Sequence, residues 1–403
     1  MTTMQLVERH IISKNDPRWA VIDHTCWLSK NLYNAANYIV RQEYIFNHHF
    51  IPYAQLDKLM KHNPDYCALP RKVSQWVLKQ VNQDWQNYFT GRAEYQSNPK
   101  KFTGCPRLPT YKDTAKGRNL LVYTDQAVSR KLLTQKGVIQ PSQLAIQVQT
   151  KQKNIDQVRI VPRKTYYVIE VIYTVEIDPL PVEPHRIASL DIGLNTLAAV
   201  TFNQPEFTPL LVNGRPLKSI NHHYNKERAR LQSELPCGQF TSKRLEQLTE
   251  QRNRRVAHYL HLVSRRLIDV LCLNRIGTLV IGKNLGWKQA INLGKRTNQN
   301  FVYIPHARFI DMLCYKAQLV GIQVILIEES YTSKCSFLDD EPICKHEVYQ
   351  GRRVKRGLFV ASDGRKINAD VNGSYNIMRK AIPNPFGDGI RASVVKPVRV
   401  TPA

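Results

Sequence analysis

One stretch of fifteen residues constrains the fold of this chain more than any other stretch does. Residues Arg186 to Val200, RIASLDIGLNTLAAV, form two apolar runs joined by a turn at Gly193, and Asp191 ends the first run. Two apolar runs around a tight turn predict a pair of buried strands. A carboxylate at the tip of such a strand suits a metal site, although an aspartate that only caps the turn gives the same pattern. Asp191 is therefore the first candidate metal ligand.

The charge of the chain favours nucleic acid as a partner. Among the 403 residues, 58 Lys and Arg stand against 32 Asp and Glu, which gives a formal net charge of +26. So large a surplus in a folded chain predicts a polyanionic partner. We expect no membrane partner, because no apolar stretch approaches the length of a spanning helix and the N-terminus lacks a signal-peptide pattern. The eight cysteines are scattered, which predicts a reduced, intracellular protein without disulfides.

The N-terminal half predicts a helical insert in a β-rich region. A strand at Met4 to Ser13 precedes a helical region, Asp16 to Arg92, whose aromatic and apolar stripes indicate a helical core more than a base-stacking platform. The basic loop Asn98 to Asp113 follows, and it suits either phosphate binding or a solvated linker. Short β-rich runs from Leu120 to Ile177 then predict a small antiparallel barrel closed by the first strand. The Pro-rich segment Pro179 to Pro184 marks a domain boundary.

The C-terminal half alternates between strand and helix patterns. Three consecutive strands near Ile187 to Val212 precede a long basic helical region, Ser219 to Asn274. A strand at Thr278 to Gly282, a helix at His306 to Val320 and a strand at Gln323 to Glu328 follow. This order predicts an α/β multidomain protein with a mixed sheet like that of ribonuclease H.

A second carboxylate stands near the C-terminus, in the stretch NADVNGSYNI. Asp370 begins a predicted short helix, with Asn372 and Asn376 on its neighbouring turns. Cleavage of nucleic acid on such a sheet needs two or three carboxylates that hold two Mg²⁺ ions. An aspartate that only favours the helix dipole would also stand at this position.

Three motifs, SLDIGLNTLAAV, YTSKCS and NADVNGSYNI, resemble the landmarks of the TnpB (OrfB) family. Its members are transposon-encoded RNA-guided nucleases related to Fanzor and the type V CRISPR effectors. The resemblance implies a bacterial, cytoplasmic and nucleoid-associated Mg-dependent RuvC endonuclease that binds a guide RNA from its own element and cuts double-stranded DNA beside a short flanking motif. By this resemblance, Asp191 is the first RuvC acid and Asp370 the third. The implied domains are a wedge β-barrel (1–15 and 98–180), a helical recognition insert (16–97), a RuvC-like nuclease (185–330 and 357–382), a degenerate zinc knuckle (331–356) and a C-terminal tail (383–403).

The chain departs from the family at the middle acid. The family carries a glutamate at the end of the fourth strand, where this chain has Gly282 and Lys283. A lysine ammonium cannot ligate Mg²⁺. The next strand, however, ends in Glu328 and Glu329, and adjacent strands lie about 5 Å apart. The resemblance to members with a relocated glutamate favours Glu329, and because successive side chains face opposite ways we expect only one of the pair to reach the site.

The second departure is the zinc knuckle. The family has two C-x-x-C pairs here. This chain has Cys335, but Leu338 stands at the position of the second cysteine of that pair, and VASDG stands in place of the second pair. Cys344 and His346 add two donors, but their spacing matches no closed zinc site, and we expect no zinc. The basic insert YQGRRVKR is a candidate contact for nucleic acid.

Two other functions fit parts of the sequence. The lost middle acid at Lys283 also fits a nuclease-inactive RNA-guided DNA-binding protein, although the neighbouring glutamates argue against it. A DNA-joining transposase is a weaker interpretation. The adjacent His222 and His223 would point about 100° apart on a helix, which is unlike a paired-histidine site.

Overall fold

A computed structural model describes residues 2–284, 304–387 and 396–402. The chain divides into two compact units, one of Thr3–Glu176 and one of Met1–Thr2 with Ile177–Ala403. Each unit has its own apolar core. The finer division into wedge, insert, nuclease, knuckle and tail stays a prediction.

The first unit contains a four-stranded antiparallel sheet. Its order is β1-β6-β5-β2, so the N-terminal strand lies at one edge and pairs along its whole length with β6. A separate antiparallel pair, β3-β4, completes the described strands of this unit. Closure of these strands into a barrel stays a prediction. The strands are β1 (Thr3–Ile12), β2 (Leu121–Thr124), β3 (Val138–Ile139), β4 (Val148–Gln149), β5 (Gln157–Pro162) and β6 (Tyr167–Glu176).

Helices of the first unit bury the predicted stripes against one another and against this sheet. Leu32 on the first helix and Val77 and Trp85 on the fourth are at most 2% exposed. Trp76 follows the same helical spacing as Val77 and Trp85 on the fourth helix, but 36% of it is exposed. The helices are α1 (Trp19–Asn47), α2 (Tyr53–Met60), α3 (Pro64–Cys67), α4 (Arg71–Ser97) and α5 (Arg130–Lys136).

The second unit is built on a mixed six-stranded sheet, as the alternation of patterns predicts. Its order is β11-β10-β7-β8-β9-β15; β7, β8 and β9 are antiparallel, whereas β10, β11 and β15 run parallel to the strands they join. The last strand comes from the segment that the sequence predicts as a tail. The strands are β7 (Glu183–Ile192), β8 (Thr196–Phe202), β9 (Leu210–Asn213), β10 (Ile276–Gly282), β11 (Gln323–Ile327) and β15 (Val398–Val400).

Helices cover both faces of this sheet. Alternate residues Ala188, Leu190 and Ile192 of β7 belong to the core with α7 and α8, whereas Ile187 packs with Ile377 of α9 on the opposite face. Because side chains alternate along a strand, Ser189 and Asp191 also face α9. The helices are α6 (Arg215–Ser233), α7 (Lys243–Leu273), α8 (His306–Leu319) and α9 (Ala369–Ala381).

Two smaller features complete the second unit. Gly321, with a φ of +83°, lies at the C′ position after α8, where the left-handed backbone favours glycine. A three-stranded antiparallel sheet connects the end of the large sheet to α9 and consists of β12 (Arg352–Lys355), β13 (Leu358–Val360) and β14 (Lys366–Ile367). Within the described ranges, no helix combines the length and apolar character needed to span a bilayer.

Candidate active site

Asp191 lies beneath a helix that approaches it very closely. A Cβ atom at Gly373 of α9 would lie only 2.7 Å from the Asp191 Oδ2 atom. Glycine is therefore required at this position if α9 is to pass so close to the strand that carries Asp191. The stretch Arg186 to Val200 thus forms the predicted strand pair, and its carboxylate faces α9.

A buried hydroxyl network holds α9 against the sheet beside Asp191. The Ser189 hydroxyl donates to the Ser374 carbonyl at 2.7 Å, and the Ser374 hydroxyl lies 2.9 Å from that of Thr201. All three residues are fully buried. Because buried hydroxyls are costly to leave unpaired, this network fixes the position of α9 relative to β7 and β8.

Asp370 stands in the first turn of α9. The side chain of Asn368 caps the helix by accepting from the backbone N–H groups of Asp370, at 3.0 Å, and Val371, at 3.2 Å. Arg353 of β12 forms an ion pair with Asp370, with 3.5 Å between Nη2 and Oδ1. The basic insert that the sequence offers as a nucleic-acid contact therefore places one of its cations beside a candidate catalytic acid.

Glu329 occupies the space that a side chain at Gly282 would fill. Gly282 pairs with Ile327 in the parallel β10–β11 ladder, and a Cβ on Gly282 would meet the Glu329 Oε1 atom at 2.2 Å. Asn284 holds the glutamate there: its Nδ2 donates to Glu329 Oε2 at 3.1 Å, and its Oδ1 accepts from the Glu329 N–H at 2.9 Å. The Glu329 carboxylate, which follows β11, thus lies beside the end of β10, where β10 itself has no acid.

Glu328 is oriented differently. Its carboxylate pairs with Lys380 Nζ at 2.9 Å, and 57% of its side chain is exposed. Hydrogen bonds from Ser330 and Lys380 lower the pKa of Glu328, so this group is an ordinary surface carboxylate. The assignment of the middle acid to Glu329 over Glu328 stays a prediction, and this difference in surroundings supports it.

The carboxyl groups influence one another electrostatically. Loss of hydration raises the pKa of Asp191 well above its usual range, and the charges of Glu329 and Asp370 raise it further, while Arg353 opposes the shift. Burial raises the pKa of Glu329 to about 7, with a further contribution from the charge of Glu328. Carboxylates held together at this cost are typical of sites that use their charge.

The donor chemistry of this cluster fits a hard divalent cation. Its donors are carboxylate oxygens, which Mg²⁺ prefers, and Glu329 Oε1 is buried without a hydrogen-bond partner. As the side chains stand, the described ranges hold no group of three or more His, Cys, Asp or Glu residues arranged to bind a metal. The roles of Asp191, Glu329 and Asp370 as ligands therefore stay a prediction, and sharing an ion requires a change of side-chain position.

Two asparagines join α9 to the turn that follows Glu329. The Asn376 amide donates to the carbonyls of Thr332 and Cys335, and the Asn372 side chain donates to Cys335 and accepts from the Phe337 N–H. The sequence places both asparagines on neighbouring turns of one helix but does not predict these contacts. Their spacing of four residues, one face of a helix, was the available signal.

The three candidate zinc donors do not form a closed site in the described chain. The Cys344 Sγ atom lies 3.4 Å from His346 Nε2, whereas the Cys335 thiol donates to the Cys344 carbonyl at 3.7 Å. The described residues contain no group of three or more His, Cys, Asp or Glu side chains arranged to hold a metal, so these three donors do not form one. None of the eight cysteines forms a disulfide in the described structure.

The first unit contains a separate cleft with aromatic and amide side chains. It has a volume of 620 Å³ and lies between α4 and the sheet. Lys79 lies over the rings of Tyr53 and Trp76, 5.4 Å from each centroid. Gln80, Gln83 and Arg159 also line the cleft. Partly exposed rings beside hydrogen-bonding amides and cations are typical of surfaces that contact nucleobases.

Comparison with known families finds two matches, both C-terminal to residue 169. A family model described as a probable transposase (OrfB_IS605) matches residues 170–288. A second model, described as a Cas12f1-like TNB domain, matches residues 306–377.

Individual proteins show the same likeness. The TnpB-like protein ORF457 of Acidianus two-tailed virus is 26% identical over 210 residues, which cover 49% of this chain and 42% of the viral protein. The CRISPR-associated endodeoxyribonuclease Cas12f1 of Sulfoacidibacillus thermotolerans is 25% identical over 237 residues, 55% of this chain and 51% of that protein. The chain thus spans about half the length of the curated relatives it matches. A solved Cas12f1–sgRNA–target DNA complex has a protein chain that aligns with a TM-score of 0.55 at 13% identity, covering 90% of this chain and 82% of that one, which is a likeness of fold.

Proposed function

We propose that this chain is a member of the family of TnpB and type V effector proteins and an RNA-guided DNA endonuclease of the RuvC type, which the matched family models and relatives support. In this proposal, the first unit supplies a wedge barrel with a helical recognition insert. The mixed sheet of the second unit is the RNase H-like nuclease fold. Its strand order, with three antiparallel strands followed by two parallel ones on one side, supports that assignment.

One arrangement carries the proposal: Asp191 lies against Gly373 of α9, the helix whose first turn carries Asp370, and Glu329 fills the space beside Gly282 on β10, the strand that pairs with β7. These three acids come from two strand ends and a helix start that are distant in sequence. A fold that brings like charges together without a function would lose stability, because like charges disfavour ionisation of their neighbours. A polyanion-cleaving site that binds cations explains the arrangement.

The residues divide the chemical work as follows. Asp191, Glu329 and Asp370 would hold two Mg²⁺ ions, which when bound activate water and stabilise the leaving oxygen. Asn284 orients Glu329, and Gly373 keeps α9 close to Asp191. Arg353, paired with Asp370 and 46% exposed, is available to contact the phosphate that approaches these acids.

The partners in this proposal are a guide RNA from the protein's own element and a double-stranded DNA target. The net charge of +26 supports polyanionic partners. The cleft of Tyr53, Trp76 and Lys79 is our candidate surface for reading the short flanking motif, since it combines stacking rings with amides that can read base edges. Base pairing with the guide would supply the rest of the sequence specificity.

A nuclease-inactive RNA-guided binder is the second candidate. The absence of an acid at Gly282 and Lys283 favours it. The position of the Glu329 carboxylate against Gly282 argues for cleavage instead, since the missing negative charge is supplied from the next strand.

Purification with co-expressed RNA, followed by cleavage of a matched target in Mg²⁺ and in EDTA, tests both candidates. We expect a discrete RNA species and Mg²⁺-dependent cutting that is lost in Asp191→Ala and Asp370→Ala, while RNA binding persists. If either variant cuts at the normal rate, the aspartate that it replaces is not a catalytic metal ligand. Guided binding of the target without cutting by the wild type would support the inactive binder. A random RNA mixture that a moderate salt wash removes would count against a dedicated guide.

A further inference from the structure

A single buried carboxylate closes the loop between Glu329 and the basic strand β12. Glu341 is 1% exposed. Its Oε2 atom accepts from the Ser336 N–H at 2.7 Å, and its Oε1 atom accepts from the Gln350 N–H at 2.9 Å. The Glu341 N–H donates in turn to the Ser336 carbonyl at 3.1 Å. Both ends of the segment 336–350, here called the knuckle loop, are therefore tied to one side chain by charge-assisted hydrogen bonds.

At the positions where the family has zinc ligands, this chain has residues that pack in an apolar cluster or form backbone hydrogen bonds. Leu338 is 6% exposed and belongs to an apolar cluster with Phe337, Phe359 and Tyr375. In the second position, Ala361 is buried in the same cluster, and the Ser362 N–H donates to Asp339. A structural zinc site needs four ligands in a tetrahedron. An apolar core stands where two of those ligands would be, so the residues do not fit zinc.

Cys335, Cys344 and His346 do not repair this deficit. The Cys335 side chain is fully buried, with its thiol directed at a backbone carbonyl. His346 Nε2 lies 2.7 Å from the Pro342 carbonyl, so this nitrogen carries the proton and only Nδ1 keeps a lone pair for a metal. The Nε2 atom lies 4.0 Å from Glu341 Oε1, which is too far for a hydrogen bond.

We propose that Glu341 takes over the structural task of the zinc ion and makes the knuckle loop metal-independent. It does so by binding two backbone N–H groups at the ends of the loop, where a metal would have bound two pairs of side chains. The carboxylate is buried and each of its oxygens accepts one backbone N–H, and these hydrogen bonds offset the cost of burying the group.

Through the loop, Glu341 also acts as a positioning residue for the acids of the proposed nuclease, so this part of the inference rests on the proposed function. Arg379 of α9 donates to the Glu341 carbonyl at 3.4 Å and pairs with Asp340 at 2.6 Å. Asn372, on the same helix, bonds to Cys335 and Phe337. The loop is therefore attached to the helix whose first turn carries Asp370.

The test uses the full-length protein and two measurements that need no cleavage. Elemental analysis should find far less than one zinc per chain, and hydrogen exchange of residues 336–350 should be unchanged by EDTA. Glu341→Ala should accelerate exchange of these amides by about tenfold or more, because the N–H groups of Ser336 and Gln350 lose their acceptor. Glu347→Ala, an exposed glutamate of the same loop, is the matched control and should leave exchange unchanged.

Glu341→Gln keeps one acceptor oxygen, so its exchange rate should lie between those of the wild type and Glu341→Ala, and it remains informative if the alanine variant fails to fold. Near-stoichiometric zinc, EDTA-accelerated exchange of the loop, or unchanged exchange in Glu341→Ala would each overturn the proposal. For the positioning role, Glu341→Ala should lower kcat for cleavage about tenfold or more with target affinity unchanged, and Glu341→Gln should restore part of it. If the wild type does not cut, zinc content and exchange still decide the structural role.

Discussion

The side-chain amide of Asn376 donates to the carbonyl oxygens of Thr332, at 2.9 Å, and Cys335, at 2.8 Å. Asn376 is fully buried, and Thr332 follows Glu329 by three residues. The Asn376 amide therefore links the helix that carries Asp370 to the segment that directly follows Glu329.

Asn376→Leu should slow target cleavage by about 10–100-fold while leaving guide RNA binding intact. The leucine has a similar volume but no donor, so the Thr332 carbonyl loses its donor at a cost of about 1–3 kcal/mol, while the Cys335 carbonyl keeps the Asn372 amide. Single-turnover cleavage and RNA affinity would be measured side by side. An equal loss of both activities would indicate general unfolding instead of a displaced acid.

Glu329→Gln should reduce cleavage by at least about a hundredfold, as much as the loss of Asp191, because it keeps the shape of the side chain and removes its charge. Glu328→Gln is the matched control. That side chain is largely exposed and pairs with Lys380, so we expect a mild effect. If Glu328→Gln is the more damaging change, the middle acid is Glu328.

Lys283→Glu restores an acid to the fourth strand, next to the position that Glu329 covers. We expect it not to rescue Glu329→Gln, since alternate side chains of a strand face opposite ways and it is Gly282 that lies against the Glu329 carboxylate. Cleavage by the double variant is the measurement. Recovery of activity would mean that the two strand tips converge on one point.

Gly282→Ala should impair cleavage by about tenfold or more without affecting RNA binding. The added methyl group would lie 2.2 Å from Glu329 Oε1 and 2.7 Å from Ile377 Cδ1, so the carboxylate must leave its present position. Such overpacking also costs about 1–3 kcal/mol. Gly104→Ala meets no atom within 4 Å and serves as the control. Normal cutting by Gly282→Ala would show that the position of Glu329 is not needed.

Trp76→Ala should weaken binding of the DNA target by about 1–3 kcal/mol, the usual contribution of a stacked ring, and leave RNA loading unchanged. Trp76→Phe should be milder because it retains a ring. Phe46 is 73% exposed on α1 and does not line the cleft, so Phe46→Ala is the matched control. Unchanged target affinity in Trp76→Ala would remove the cleft from the proposed function.

Local features of this protein follow from its sequence because they depend on residues close together in the chain. The apolar runs around Gly193 predict β7 and β8, and the stripes at helical spacing predict α1 and α4. The end of α8 before Gly321 is predictable for the same reason: periodicity and turn residues act over one or two turns of chain. The motifs around Asp191 and Asp370 also indicate the family.

Tertiary structure alone decided which side chains meet. That Glu329 lies over Gly282 depends on the pairing of Gly282 with Ile327, and that register is set by packing between segments 45 residues apart. The addition of Val398–Val400 as a sixth strand, the exposure of Trp76 and the burial of Glu341 are likewise products of long-range contacts. No local pattern encodes them, because strand register and burial follow from which surfaces exclude water together.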